Sequence, residues 1–120
     1  MIGVDIIGIS RIRKAVEKEA FVERVFTPSE RTYCDGKSDP AASYAGLFCA
    51  KEAAVKALKC GFGGGIMPAD IEIGHDTAGA PILCPRGKAA DLICGCRADV
   101  SISHDGDYAV ATVMLTPNKC

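Results

Sequence analysis

The stretch Leu47-Phe48-Cys49-Ala50-Lys51-Glu52-Ala53-Ala54-Val55-Lys56-Ala57-Leu58 decides how this chain folds. Nearly every residue in it favours a helix, and no Gly or Pro interrupts it. At about 100° per residue, Leu47, Ala50, Ala54, Ala57 and Leu58 gather on one side while Glu52 and Lys56 fall together on the other. The spacing predicts a helix that lays an apolar stripe on a core and presents a carboxylate beside an amine. By itself such a pair only supports an exposed helix, by about 0.2–0.5 kcal/mol.

The 120 residues suit a single domain, residues 1–120, large enough for a real core. A net charge of -1 leaves no electrostatic footprint of a nucleic-acid binder. No apolar run approaches the roughly 18 residues of a membrane span. Asp5 interrupts the first apolar run, so the N-terminus does not read as a signal peptide, and a cytoplasmic location is expected. Seven cysteines, Cys34, Cys49, Cys60, Cys84, Cys94, Cys96 and Cys120, are odd in number and scattered. They read as small apolar residues of a reducing compartment, not as a disulfide framework or a zinc site.

Residues 1–9 are rich in Ile and Val and predict a strand, with Asp5 in its middle. That carboxylate either points to solvent on an edge strand or, if buried, must be neutralised, paired or metal-bound. Ser10 reads as the N-cap of a helix over 11–24, broken near Ala20, with Ile12, Ala15, Val16 and Val22 inward. Its polar side carries Arg11, Arg13, Lys14, Lys18 and Arg24 against Glu17, Glu19 and Glu23, a solvated face or a dock for an acidic partner. Thr27-Pro28-Ser29-Glu30 has the spacing of a capping box and predicts a short helix to about Cys34. A loop over 35–40 precedes the long helix, which runs from Ala41 to about Lys59.

Gly61, Gly63, Gly64 and Gly65 follow as a turn, or as backbone passing close to phosphates. Short strands over 71–73 and 82–84 flank a turn at Ala78-Gly79-Ala80-Pro81, a short helix covers 85–93, and strands over 99–104 and 108–115 meet at Asp105-Gly106-Asp107. This is an α+β domain with a long central helix packed on a short-stranded sheet. His104 ends a strand, either solvated or held rigidly toward a cleft where an imidazole can carry a proton or meet a phosphate.

Gly3-Val4-Asp5 with Arg11-Ile12, Phe48-x-x-Lys51-Glu52-x-x-x-Lys56, and Val100-Ser101-Ile102-Ser103-His104 with Tyr108-Ala109 share order and spacing with a known family. Phe21-x-x-Arg24 and Thr27-x-Ser29-Glu30 extend the match along the whole chain. The sequence thus resembles the holo-[acyl-carrier-protein] synthases, the small bacterial class of 4'-phosphopantetheinyl transferase. The resemblance implies that fold, and transfer of 4'-phosphopantetheine from coenzyme A to a serine of apo-acyl-carrier protein, in support of fatty acid biosynthesis. It implies Mg²⁺, with Mn²⁺ as the alternative, held by Asp5 and Glu52. Lys56 and His104 would meet the phosphates of coenzyme A, and the serine proton would leave to Glu52 or to a water. Gly61 and Gly63 would lie along the nucleotide and Gly79 and Pro81 near the adenine. Arg11, Lys18 and Arg24 would dock the carrier protein, and the active sites would lie between the subunits of a homotrimer. Two positions depart from the family's habit: Leu47 stands where an arginine is common, and Lys59 where a glycine is. A non-enzymatic binding module is the alternative, as is a metal-dependent phosphohydrolase, which would want more metal-binding side chains than Asp5 and Glu52 supply.

Overall fold

The computed structural model describes residues 1–118, so Cys120 lies outside the described residues. The Ile- and Val-rich start forms strand β1 (Ile2–Gly8). Two helices follow, α1 (Ile9–Ala15) and α2 (Glu19–Val25), where the sequence predicts one over 11–24 broken near Ala20; the break comes earlier. The break falls at Val16–Lys18 for a reason of phase. A straight helix would carry the buried stripe of Ile9 and Ile12 onto Glu19 and Glu23, whereas the apolar residues that follow are Val22, Val25 and Phe26, all buried after the turn. The first N-cap is Gly8, not Ser10. Of the residues expected inward, Ile12 and Val22 are buried and Ala15 and Val16 are half-buried.

Helix α3 (Pro28–Asp35) starts on the expected capping box: the Glu30 amide donates to Thr27 Oγ1 at 3.3 Å and the Thr27 amide to Glu30 Oε1 at 2.8 Å. The long helix α4 spans Pro40–Ala57. Beyond it come β2 (Ile71–His75), β3 (Pro81–Pro85), helix α5 (Gly87–Ile93), β4 (Cys96–Asp105) and β5 (Tyr108–Pro117). Strands β2 and β3 form an antiparallel hairpin, and β1, β5 and β4 an antiparallel sheet in that spatial order. The β4–β5 loop is Gly106-Asp107, with Gly106 at φ 59° supplying the positive φ of a two-residue hairpin.

Helix α4 lies across the three-stranded sheet, and small residues set how closely. Ala45, Ala50, Ala53, Ala54 and Ala57 are fully buried. A Cβ on Gly3 would stand 2.0 Å from the Ala53 carbonyl oxygen and 2.6 Å from the Ala57 amide nitrogen. At the other edge, a Cβ on Gly46 would stand 2.8 Å from Ile102 Cγ2. The helix thus touches β4 near its start and β1 near its end.

A buried charge pins α4 from behind. Lys51 is 1 % exposed. Its Nζ lies 2.9 Å from Glu30 Oε1 and donates to the carbonyls of Pro68 and Ile71, each at 2.9 Å. Glu30 Oε2 accepts the Ile73 amide at 2.8 Å. Burial pulls the Lys51 ammonium below the ordinary lysine value and Glu30 opposes it. One carboxylate therefore caps α3, pairs with α4 and holds β2.

The C-terminus of α4 closes as a Schellman motif, with the Cys60 amide on the Val55 carbonyl at 3.0 Å and the Lys59 amide on that of Lys56 at 3.0 Å. Lys59 takes the left-handed position, φ 58°, that glycine usually fills. On the sheet face turned away from α4, Ile2, Val4, Ile6 and Met114 are exposed. No helix among the described residues is long and apolar enough to cross a membrane.

Candidate active site

Side chains alternate along β1, so Gly3, Asp5 and Ile7 face α4 while Ile2, Val4 and Ile6 face away. Asp5 therefore sits under the helix rather than in open solvent. Lys56 Nζ donates to Asp5 Oδ1 at 2.8 Å and to the Val4 carbonyl at 3.2 Å. The hydrogen bond it donates to Asp5, then the Asp5 charge, raises the Lys56 ammonium above the ordinary lysine value. The amine expected beside Glu52 is thus committed to the strand. Glu52 is half-buried, and burial, followed by the neighbouring Asp5 carboxylate, raises its carboxyl above the ordinary value, with Lys56 opposing. Among the described residues no group of three or more His, Cys, Asp or Glu side chains converges. The donor set here is two carboxylates. Cys49, beneath them, donates to the Ala109 carbonyl at 3.4 Å, and burial, then Asp5, pushes its thiol up to about 12. It is not a nucleophile at neutral pH.

His104 lies elsewhere, on β4, paired with Ala109. It lines a cavity of about 210 Å³ together with Tyr33, Leu47, His75, Gly79 and Pro81. Gly79 (φ 88°) belongs to a turn braced by Asp76, whose Oδ1 accepts the amides of Ala78 and Ala80, each at 2.9 Å. The Tyr33 and His75 rings stack with centroids 3.8 Å apart and planes 12° apart. Burial, then Lys37, lowers the His75 imidazolium below the ordinary histidine value. Leu47, 2 % exposed, forms an apolar wall. No feature of the sequence singles out Tyr33 or His75; only the fold brings them to this cavity.

The expected site residues thus fall into two groups. At about 100° per residue, Ser43 and Leu47, which line the cavity, lie on one flank of the sheet-facing stripe of α4, and Glu52 and Lys56 on the other. Asp5, Glu52 and Lys56 come together; His104, Gly79 and Pro81 come together; one subunit does not join the two groups. Gly61 and Gly63 follow the C-terminus of α4, away from the cavity walls, in a loop closed by the Gly63 amide on the Ile66 carbonyl at 2.8 Å. Arg11, Lys18 and Arg24 are all exposed, but they lie on α1, at the N-cap of α2 and on α2 rather than on one helix.

The profile of the 4'-phosphopantetheinyl transferase superfamily matches residues 1–113. A holo-[acyl-carrier-protein] synthase of Geobacter sulfurreducens is 44% identical over 118 residues, 94% of each chain. That of Koribacter versatilis is 39% identical over 118 residues, again 94% of each. Among solved structures, the Helicobacter pylori holo-[acyl-carrier-protein] synthase in complex with coenzyme A superposes with a TM-score of 0.86 at 38% identity, covering 97% of this chain and all of that one. Sequence and backbone agree from end to end, and this chain belongs to the holo-[acyl-carrier-protein] synthases of the 4'-phosphopantetheinyl transferase superfamily.

Proposed function

We propose that this chain transfers the 4'-phosphopantetheine group of coenzyme A to a serine hydroxyl of apo-acyl-carrier protein, releasing adenosine 3',5'-bisphosphate, in support of fatty acid biosynthesis in the cytoplasm. The observation that carries this reading is the pairing of Asp5 with Glu52 where α4 crosses β1, in a chain that matches this family over nearly its whole length.

The donor chemistry fits Mg²⁺, or Mn²⁺ in its place. Mg²⁺ takes one or two protein carboxylates and fills its shell with water and substrate phosphates, and Glu52 is a partly desolvated carboxylate beside a second one. Asp5 and Glu52 would hold the ion, which when bound neutralises the charge that develops on the leaving phosphate. Lys56 is half exposed and would offer its remaining N–H donor to the pyrophosphate oxygens. The serine oxygen bonds to the phosphorus of the phosphopantetheine arm, the P–O bond to the adenosine 5'-phosphate breaks, and that phosphate leaves with the electron pair. The serine proton passes to Glu52 or to a neighbouring water.

The nucleotide end would take the cavity of His104, Gly79 and Pro81, with Gly61 and Gly63 along its path. Because α4 separates that cavity from Glu52, a complete site needs the two flanks of different subunits, which supports a homotrimer with intersubunit active sites. Arg11, Lys18 and Arg24 would steer the acidic carrier protein, with a salt-dependent rate.

The test is intact-protein mass spectrometry of apo-acyl-carrier protein incubated with coenzyme A, Mg²⁺ and this protein. One phosphopantetheine mass should be gained, lost on adding chelator, and lost in Asp5→Ala and Glu52→Ala. No gain with several carriers and folded protein overturns the transferase reading; a gain that both variants retain overturns the metal assignment.

A further inference from the structure

The cavity beside His104 contains a stack that no part of the reaction above requires. His75 lies 3.8 Å from Tyr33 and nearly parallel to it. Lys37 Nζ stands 4.5 Å from the Tyr33 ring centroid. An imidazole that close covers one face of the phenol, so Lys37 must occupy the other. The order is Lys37, Tyr33, His75, so the imidazole ends the stack, and His75 lines the cavity. His75 is also the cross-strand partner of Pro81 in the β2–β3 hairpin, and both line the cavity. Their side chains stand on the same face of the hairpin, an imidazole beside a pyrrolidine ring.

The rest of the cavity narrows the ligand. Neither an Asp nor a Glu lines it; its walls are His104, the Ser43 hydroxyl, and apolar surface from Leu47 and Ile102. At about 210 Å³ it is smaller than the roughly 300–1,000 Å³ of pockets that engulf a whole drug-sized ligand, so it takes one end of an extended molecule. A flat aromatic face next to a polar rim suits a nucleobase, since every base has a π-face to stack on, and the base of coenzyme A is adenine. Burial and the nearby Lys37 charge lower the basicity of His75, which favours the uncharged ring in the stack.

We propose that His75 is a binding residue for the nucleotide end of coenzyme A, stacking the adenine on the ring face turned away from Tyr33. This rests on the transferase reading, and the experiment separates the two. Adenosine 3',5'-bisphosphate is titrated into the wild-type protein, His75→Ala and His75→Phe by calorimetry, and the adenine protons are followed by NMR. Wild type and His75→Phe should bind within about twofold of each other and shift the adenine protons upfield through the ring current. His75→Ala should bind about tenfold more weakly, the size expected for one lost base stack, and show no such shift. Its KM for coenzyme A should rise with kcat held, because the base lies far from the reacting phosphorus. Wild-type binding with no upfield shift, or equal binding by His75→Ala, overturns the stacking role and leaves the transferase reading standing. No binding by wild type overturns both. Should His75→Ala fail to fold, the wild-type and His75→Phe spectra still decide the matter.

Discussion

Lys59 holds a backbone conformation that costs an L-residue about 1–2 kcal/mol, at the position where a helix end favours glycine. Lys59→Gly should therefore stabilise the fold by about 1 kcal/mol, part of the gain being offset by the freer unfolded chain. A higher urea midpoint at unchanged slope is the expected reading; an unchanged or lower midpoint would mean that the lysine side chain repays its strain. The site residues divide by how local their signal is. Asp5 stands out because a carboxylate inside an Ile-rich strand is at odds with its surroundings, whereas Glu52, on the polar side of its helix, stands out only through the family motif around it. Lys51 stands in the same helix and shows no sign of its role, because its partners are Glu30 and two carbonyls 17 and 20 residues further along. Glu30 was legible as a cap, and its second duty was not. Tyr33 and His75 are joined only by tertiary folding.

At the scale of elements, α4 was legible because propensity, apolar stripe and the absence of breakers agree over its whole second half. A break between α1 and α2 was legible, near Ala20, but not its place at Val16–Lys18, because Glu17, Lys18 and Glu19 are acceptable helix residues and only the phase of the buried side chains forbids continuation. The contact of α4 with β1 is the one that sets the distance between Glu52 and Asp5. Gly3→Ala would drive a methyl against the backbone of Ala53 and Ala57, and neither can yield without lifting the helix. Overpacking of this kind costs about 1–3 kcal/mol and sometimes more. Thermal unfolding should show a loss at the top of that range, and the protein still folded should load carrier far more slowly than its folded fraction predicts. Full specific activity would show that the two carboxylates tolerate a wider gap.

For the molecule as a whole, the outward face of the β1–β5–β4 sheet is the feature that a lone subunit leaves unexplained. Ile2 is 63 % exposed, Val4 57 % and Ile6 64 %, a contiguous apolar row of the kind that marks an association surface. Ile6 touches neither Asp5's partners nor the cavity, so Ile6→Asp should keep the fold, shift the mass measured by light scattering to that of a monomer, and abolish carrier loading. A monomer as active as the wild type would refute the intersubunit site.

If the two groups separated by α4 meet across a subunit boundary, as proposed, subunits damaged on opposite flanks are complementary. Asp5→Ala and His104→Ala proteins, each inactive alone, should regain activity when unfolded together and reassembled, since a junction between the sound flank of one and the sound flank of the other is whole. Asp5→Ala mixed with Glu52→Ala, both injured on the same flank, should never recover. With the proposed intersubunit sites, every copy of this chain would be half of two enzymes, and a defective copy would still serve a neighbour.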